Sequence, residues 1–405
     1  MTLSDLSRSF KSSVARSNKQ SIARPKKFTY YNFLFILATC LPVLTVGIFN
    51  WAIDPYDLFD TPNYWGVNHE KPKKDNNDRA FKAVDITRIK PQTIIMGSSR
   101  TKQGIDPAHP VFKNNPSVYN LAINGPNFYE VRRYIEHAIA NQPEIKEIVL
   151  GVDFFMFNNT LDNQPSFDEN RLEKKHIVLA DAINALFSLD TITTSIDTIK
   201  ASQKSSNKND DYGENGFMPN RNYNNGETIW RFRQSIKLYF QLHPDYRFSE
   251  NYWSDYQQIV QLCQENNITL KVFISPSHAT QWESIYATNR WETFEQWKRQ
   301  LVKLTPVWDF SGYNTITTEA IAKQMNNYVD NSHYTPAIGN LILDRLYNYQ
   351  TQHLPADFGV LLTPKNIDTH LATIRRDRAN WVKNQPDEVK LVQDIQHKFL
   401  QPITK

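Results

Sequence analysis

Two short motifs in distant parts of the chain contain the residue types that a nucleophilic serine requires. The first is Gly97-Ser98-Ser99, which directly follows an apolar run. The second contains Asp330 and His333, separated by two other residues. A serine hydroxyl becomes a good nucleophile when an imidazole takes its proton and a carboxylate fixes the tautomer of that imidazole. The sequence therefore predicts an acyl-transfer site in the chain order Ser, Asp, His.

These motifs resemble blocks of the SGNH/GDSL hydrolase superfamily, and the resemblance covers roughly residues 90–350. In that family a Gly-Asp-Ser block after the first strand carries the nucleophile, and Ser98 here stands in place of its Asp. The resemblance implies that Ser99 is the nucleophile. The last block of the family is Asp-x-x-His, which implies that His333 is the base and that Asp330 orients it.

Two further blocks of the family supply donors to the oxyanion of an acyl-transfer transition state. The stretch 120–127 resembles the second block, which implies that the N–H of Gly125 is one donor and the N–H of Ser99 another. The third block normally carries an Asn donor, but this chain has Asp153 there. An ionised Asp would repel an oxyanion, whereas an Asp kept neutral by burial could donate. Asp153 is otherwise a helix cap or the partner of Arg100 in a salt bridge.

Three residues beside these motifs are candidate substrate contacts. Arg100 directly follows the predicted nucleophile and could bind a carboxylate of an acidic sugar or donor, or form a structural ion pair instead. His278 follows a predicted strand, where it is either a substrate contact or an ordinary loop histidine. Asn127, at the end of the glycine-containing block, is the third candidate.

Apolar runs alternate with amphipathic stretches, which predicts βαβ units. The predicted fold class is α/β, a three-layer α/β/α arrangement with a parallel sheet of the SGNH or flavodoxin-like kind, preceded by one transmembrane helix. Ser99, Gly125, Asp153 and His278 each follow a predicted strand, and functional loops gather at the carboxyl ends of parallel strands. The predicted strands are 93–96, 118–123, 147–155, 269–275 and 307–310, and the predicted helices are 127–141, 251–266, 291–304, 337–350, 367–382 and 388–399.

The chain divides into five predicted parts. They are a basic cytoplasmic tail (1–28), a transmembrane anchor (29–53), a membrane-proximal linker (54–90), an α/β domain (91–354) and a C-terminal helical tail (355–405). A polar insertion loop interrupts the domain at about residues 201–227, and its Tyr212, Phe217 and Tyr223 either stack on sugar rings or cover the core. The tail helices pack on the domain or contact a partner.

An uncharged apolar run, Phe33 to Ile53, is long enough to cross a membrane as a helix. Residues 1–27 before it hold seven Lys or Arg against one acid, and Asp54, Asp57 and Asp60 follow it. This asymmetry predicts a single pass through a bacterial inner membrane, with the N-terminus cytoplasmic and the body periplasmic or extracellular. A cleaved signal peptide and a buried core helix are the alternatives.

Charge and cysteine content exclude several functions. The net charge is +4, but beyond residue 27 the chain has 39 basic and 41 acidic residues, so no basic face for nucleic acid is indicated. Cys40 lies in the apolar run and Cys263 in a predicted helix, which excludes a disulfide framework. Because no Cys/His set has zinc-ligand spacing, we expect neither a metal nor another cofactor.

Together these features predict a membrane-anchored, extracytoplasmic serine acyl-ester hydrolase or O-acyltransferase that acts on an envelope carbohydrate. Among SGNH-like proteins the chain most resembles the membrane-anchored ones of bacterial envelope polysaccharide O-acetylation, which implies an acetyl group. The alternatives are a catalytically weak SGNH scaffold that binds polysaccharide or an envelope assembly partner, and a structural anchor that recruits other envelope proteins.

The charge asymmetry around the apolar run makes a topology prediction. A reporter enzyme fused after Asp60 should be active only if the reporter works outside the cytoplasm, because the positive flank is retained inside. Paired fusions to a periplasm-active and a cytoplasm-active reporter measure this directly. Activity of the cytoplasmic reporter alone would contradict the predicted orientation.

Overall fold

The computed structural model describes residues 26–115, 117–204, 214–219 and 226–400. Most of the basic tail, and the insertion-loop residues Tyr212 and Tyr223, lie outside the described residues. Within them the helices are α1 (Lys26–Ile53), α2 (Asp78–Ile89), α3 (Ser99–Gly104), α4 (Phe128–Asn141), α5 (Leu179–Phe187), α6 (Leu189–Lys204), α7 (Thr228–Leu242), α8 (Glu250–Glu265), α9 (Ala279–Ala287), α10 (Trp291–Leu304), α11 (Pro336–Leu346), α12 (Ile367–Asn384) and α13 (Pro386–Leu400).

A six-stranded sheet forms the centre of the protein. Its strands are β1 (Thr93–Met96), β2 (Val118–Asn120), β3 (Glu147–Val152), β4 (Thr269–Ile274), β5 (Val307–Asp309) and β6 (Val360–Leu362). In space they run β2-β1-β3-β4-β5-β6, with the first five parallel and β6 antiparallel to β5. This is the order of flavodoxin-like sheets with one added edge strand, and its topological switch point lies between β1 and β3.

The sheet is the middle layer of three, and alternate strand residues face opposite cores. In β3, Ile148 and Leu150 belong to a core that includes residues of α4, α8 and α10. Val149 lies between them in sequence and belongs to a second core that includes residues of α11. A strand points successive side chains to opposite faces, and burial of both faces explains the continuous apolar sequence. The α/β fold with a mostly parallel sheet is therefore confirmed.

Several elements differ from the predicted ones. β3 ends at Val152, because residues 154–157 form a 3-10 turn directly after Asp153. β6 pairs with β5 beyond the predicted domain boundary at residue 354, so the sheet includes part of the predicted tail. Helices α2, α5, α6, α7 and α9 occupy stretches in which no element was predicted. Phe217, from the predicted insertion loop, is buried, as a residue that covers the core would be.

Helix α1 is exposed along most of its length but packs on the rest of the protein at its carboxyl end. Its 26-residue apolar segment is long enough to cross a membrane, either as an anchor or as a signal sequence. Asn50 is fully buried; its Nδ2 donates to the carbonyl of Leu186 (2.8 Å), and its Oδ1 accepts from Ser195 Oγ (2.8 Å). A Cβ on Gly47 would overlap the ring of Phe187. These contacts hold the last turns of α1 against α5 and α6.

Two glycines allow α3 and α11 to touch backbone to backbone. A Cβ on Gly339 of α11 would overlap the carbonyl oxygen of Gly104 at the end of α3. A Cβ on Gly104 would in turn overlap the ring of Tyr334. Since α3 begins with Ser99 and α11 begins just after His333, this contact sets the distance between the two sequence motifs.

Gly339→Ala should force α3 and α11 apart and lower the free energy of unfolding by about 1–3 kcal/mol, the usual cost of overpacking. Thermal unfolding of the detergent-solubilised chain measures the effect. Asn340→Ala is a matched control, because Asn340 is exposed on the same helix and should change stability by less than about 0.5 kcal/mol. If the two variants are equally stable, the helices do not touch at Gly339.

Candidate active site

Ser99, His333 and Asp330 come together at the carboxyl edge of the sheet. The Oγ of Ser99 lies 2.9 Å from Nε2 of His333. On the other side of the ring, Nδ1 lies 2.9 and 3.1 Å from the two carboxylate oxygens of Asp330. Because a carboxylate only accepts hydrogen bonds, Nδ1 carries the proton and Nε2 can accept the proton of the hydroxyl. The arrangement suits proton removal from Ser99 during a nucleophilic attack.

The loop around Asp330 keeps its carboxylate oriented and charged. Oδ1 accepts hydrogen bonds from the backbone N–H groups of Ser332 (2.7 Å) and His333 (2.9 Å). Burial alone would raise the pKa of Asp330, but His333 and these two N–H groups outweigh it and hold the pKa below its usual value. Asp330 therefore stays ionised near neutral pH, where it can fix the tautomer of His333.

The turn after β1 presents Ser99 at the start of α3. Ser98 is the N-cap of this helix, and its Oγ accepts from the N–H of Arg100 (3.2 Å). Gly97 lies so close to Thr101 that a Cβ there would overlap its hydroxyl. The N–H of Ser99, at the first position of α3, has no acceptor within the helix and donates to none of the residues that the structure describes. It is thus available to a ligand.

Residues of the predicted linker hold the loop that contains Gly125. The N–H of Asn124 donates to Asp78 Oδ2 (2.7 Å), and its carbonyl accepts from Arg79 Nη2 (2.8 Å). Gly125 has a φ of 50°, in the left-handed region that favours glycine, and its carbonyl accepts from Gln164 Nε2 (3.1 Å). Within the described part of the chain, its N–H has no acceptor. The start of α2 is therefore part of the support of the site, which the sequence analysis did not predict.

Asp153 is paired with Arg100, the salt bridge that was one of the sequence alternatives. Its Oδ1 accepts from Arg100 Nη1 (2.8 Å) and its Oδ2 accepts from Ser98 Oγ (2.5 Å). The carboxylate is almost completely buried, with 1% of the side chain exposed. Arg100 also donates through Nε to Ser332 Oγ (2.9 Å). Because both carboxylate oxygens accept from donors, this geometry favours a positioning role for Asp153 over donation to an oxyanion.

Asn127 and His278, two predicted substrate contacts, lie outside the site. Asn127 is fully buried and caps α4 through the N–H of Glu130 (3.0 Å), while its Nδ2 donates to the carbonyl of Leu161 (3.1 Å). His278 is also fully buried, its Nε2 donates to the carbonyl of Glu319 (2.7 Å), and burial lowers its pKa to about 4. The structure therefore gives both residues internal hydrogen bonds and no atom that a substrate can reach.

A cavity of about 190 Å³ opens beside the triad. Ser99, Arg100, Gly125, Ser332 and His333 form its polar wall. Its remaining walls come mostly from α7, α9 and the turn after β3, and they are largely apolar. These walls were not predicted from the sequence, although Leu238, Tyr239 and Leu242 follow the spacing of one helical face. Among all the residues that the structure describes, no group of three or more His, Cys, Asp or Glu could hold a metal ion.

Comparison of the chain with protein-family models, with curated proteins and with solved structures gives no match. The chemistry of this site therefore follows from its own residues: a serine, a base and an acid in hydrogen-bond contact, two unengaged N–H groups, and an adjoining cavity.

Asp153→Asn tests whether this residue supports Arg100 or weakens the oxyanion site. With Arg100 as its partner, the change should cost about 2 kcal/mol of stability and slow the reaction of Ser99 with a fluorophosphonate. Unfolding and labelling rates measure the two effects. Asp394→Asn, at an exposed position of α13, is the control and should alter neither. Faster labelling of Asp153→Asn would mean instead that the carboxylate repels the oxyanion.

Proposed function

We propose that the protein is a serine acyl-ester hydrolase or O-acyltransferase of the SGNH type, held at a membrane by α1. The observation that carries this proposal is the hydrogen-bonded series from Ser99 through His333 to Asp330. Its position adds support, because ligands of flavodoxin-like sheets bind at the switch point between β1 and β3. The Gly-Ser-Ser and Asp-x-x-His blocks of the sequence agree with this class.

In the first half-reaction Ser99 Oγ attacks the acyl carbon while its proton passes to His333 Nε2. The N–H groups of Ser99 and Gly125 donate to the oxyanion, and each such donor typically lowers the barrier by ~3 kcal/mol. The leaving alkoxide then takes the proton from His333, which leaves an acyl ester on Ser99. In the second half-reaction His333 activates water or a carbohydrate hydroxyl, which accepts the acyl group and regenerates Ser99.

Arg100 replaces the third oxyanion donor that SGNH enzymes draw from an Asn. Asp153 occupies that sequence position, but it binds Arg100, whose guanidinium belongs to the polar wall of the cavity. A guanidinium there favours the negative charge that develops in the transition state. It would equally favour an acidic sugar as acceptor.

We place the α/β body outside the cytoplasm of a bacterial inner membrane, with an envelope carbohydrate ester as the substrate or product. The packing of α1 supports a retained anchor over a cleaved signal peptide. Cleavage would remove the partners of Leu186 and Ser195, and unpaired buried polar groups are costly. The carbohydrate class rests on the resemblance and on this location.

The second candidate is a catalytically weak scaffold that binds polysaccharide or an envelope partner. The observation in its favour is Asp153, which leaves the site without the usual Asn donor. An inert scaffold would not react with a fluorophosphonate, whereas an enzyme would be labelled at one serine.

Ser99→Ala should abolish fluorophosphonate labelling and leave the fold intact. The change removes one hydrogen bond at a half-buried position, so the free energy of unfolding should fall by only about 1 kcal/mol. Gel fluorescence and thermal unfolding measure the two quantities. Ser254→Ala, at an exposed serine of α8, should label like the parent. Undiminished labelling of Ser99→Ala would assign the nucleophile to another residue.

A further inference from the structure

The cavity beside Ser99 has an apolar end as well as the polar wall that holds the triad. This end is lined by Phe155, Leu238, Leu242, Tyr246, Trp282 and Ile285. Trp282 and Ile285 are buried, whereas Leu238 and Leu242 are about half exposed, at 49% and 54%. Exposed leucines side by side on one helix face add nothing to the core, so they indicate that the cavity receives an apolar group.

Two of the polar side chains near this end, Tyr246 and His243, already have hydrogen-bond partners within the protein. The hydroxyl of Tyr246 donates to the carbonyl of Phe154 (3.1 Å). His243 Nδ1 accepts from Asn158 Nδ2 (3.2 Å), and burial lowers the pKa of His243 to about 4, so the ring is uncharged at neutral pH. The largely apolar lining offers few partners to the several hydroxyls of a sugar ring, and each unpaired hydroxyl costs binding free energy. The apolar end therefore suits a hydrocarbon and disfavours a sugar ring.

The size of the whole cavity, polar wall included, indicates how large a hydrocarbon it can accommodate. An apolar cavity of about 150 Å³ in another protein accommodates benzene, and the cavity here measures about 190 Å³. A methyl group, the apolar part of an acetyl ester, would occupy only a fraction of this space. A chain of about six carbons or a single aromatic ring would fill it.

We infer that the apolar end of this cavity binds the acyl group of the substrate, and that this group is a medium-chain or aromatic acyl rather than acetyl. The inference rests on the proposed function, since it takes Ser99 as the nucleophile. With the acyl carbonyl at Ser99 and the hydrocarbon directed into the apolar end, the alcohol part of the ester lies toward the open polar side. There Arg100 and Ser332 can contact a carbohydrate.

The full-length chain in detergent can be assayed with nitrophenyl acetate, butanoate, hexanoate and benzoate. Each buried methylene is worth roughly fourfold in binding, so kcat/KM for hexanoate should exceed that for acetate by about two orders of magnitude, after correction for spontaneous hydrolysis. Leu242→Asp should lower the hexanoate-to-acetate ratio at least tenfold, because it places a charge beside the chain. Leu238→Asp repeats the test on the neighbouring turn, in case one variant misfolds.

Leu361→Asp is the matched control, because Leu361 is similarly exposed, at 41%, on β6 and should keep the parent ratio. A parent that prefers acetate, or a ratio unchanged in both cavity variants, would overturn the inference and leave the proposed function standing. Failure of every ester to acylate Ser99, with no fluorophosphonate labelling, would overturn the proposed function and this inference together.

Discussion

The buried ion pair between Asp153 and Arg100 is the interaction on which the geometry of the site depends. It joins the end of β3 to the start of α3, and Arg100 extends it to Ser332 in the loop that carries His333. Two charges can be buried together only if their remaining donors and acceptors find partners. Ser98 Oγ donates to the second carboxylate oxygen of Asp153. Both carboxylate oxygens therefore have partners, at the point where the end of β3, the start of α3 and the loop with Ser332 meet. Asp153 thus positions its neighbours through its contacts with Arg100 and Ser98.

The same segments are held at short range by glycines. Gly97 and Gly151 leave room for the hydroxyl of Thr101 between neighbouring strand ends, and Gly104 and Gly339 let two helices touch. A misplacement of about 1 Å between reacting groups can cost ~10²-fold in rate. Close backbone contacts limit such misplacement better than long side chains do, because they have no rotamers to change. The site is therefore positioned by packing and by charge together.

The position of the site could be predicted from the sequence, because parallel strands place the turns that follow them along one edge of a sheet. By that rule, the turn with Ser99 and Asp153, the residue after β3, are predicted to lie at the same edge. Besides its cap contact with Glu130, Asn127 donates to a carbonyl group on a distant loop, as His278 does, and the sequence has no pattern that predicts such loop partners. Strand β6 has three residues, too few for a periodicity. The polar composition of the linker did not indicate which of its residues are buried, and Arg79 is buried because Glu130 of α4 supplies its counter-charge.

The segment that follows α1 also supports the site. Asn50 is buried against α5 and α6, Asp54 accepts hydrogen bonds in the turn that follows, and Asp78 holds Asn124 beside the site. The stretch between α1 and the sheet therefore contacts the rest of the protein at several positions. A shortened chain that starts after Ile53 would lack the apolar helix, but it would also lack Asn50 and the hydrogen bonds that Asn50 makes with Leu186 and Ser195. The packing of the last turns of α1 on α5 and α6 consequently sets the orientation of the cavity relative to α1.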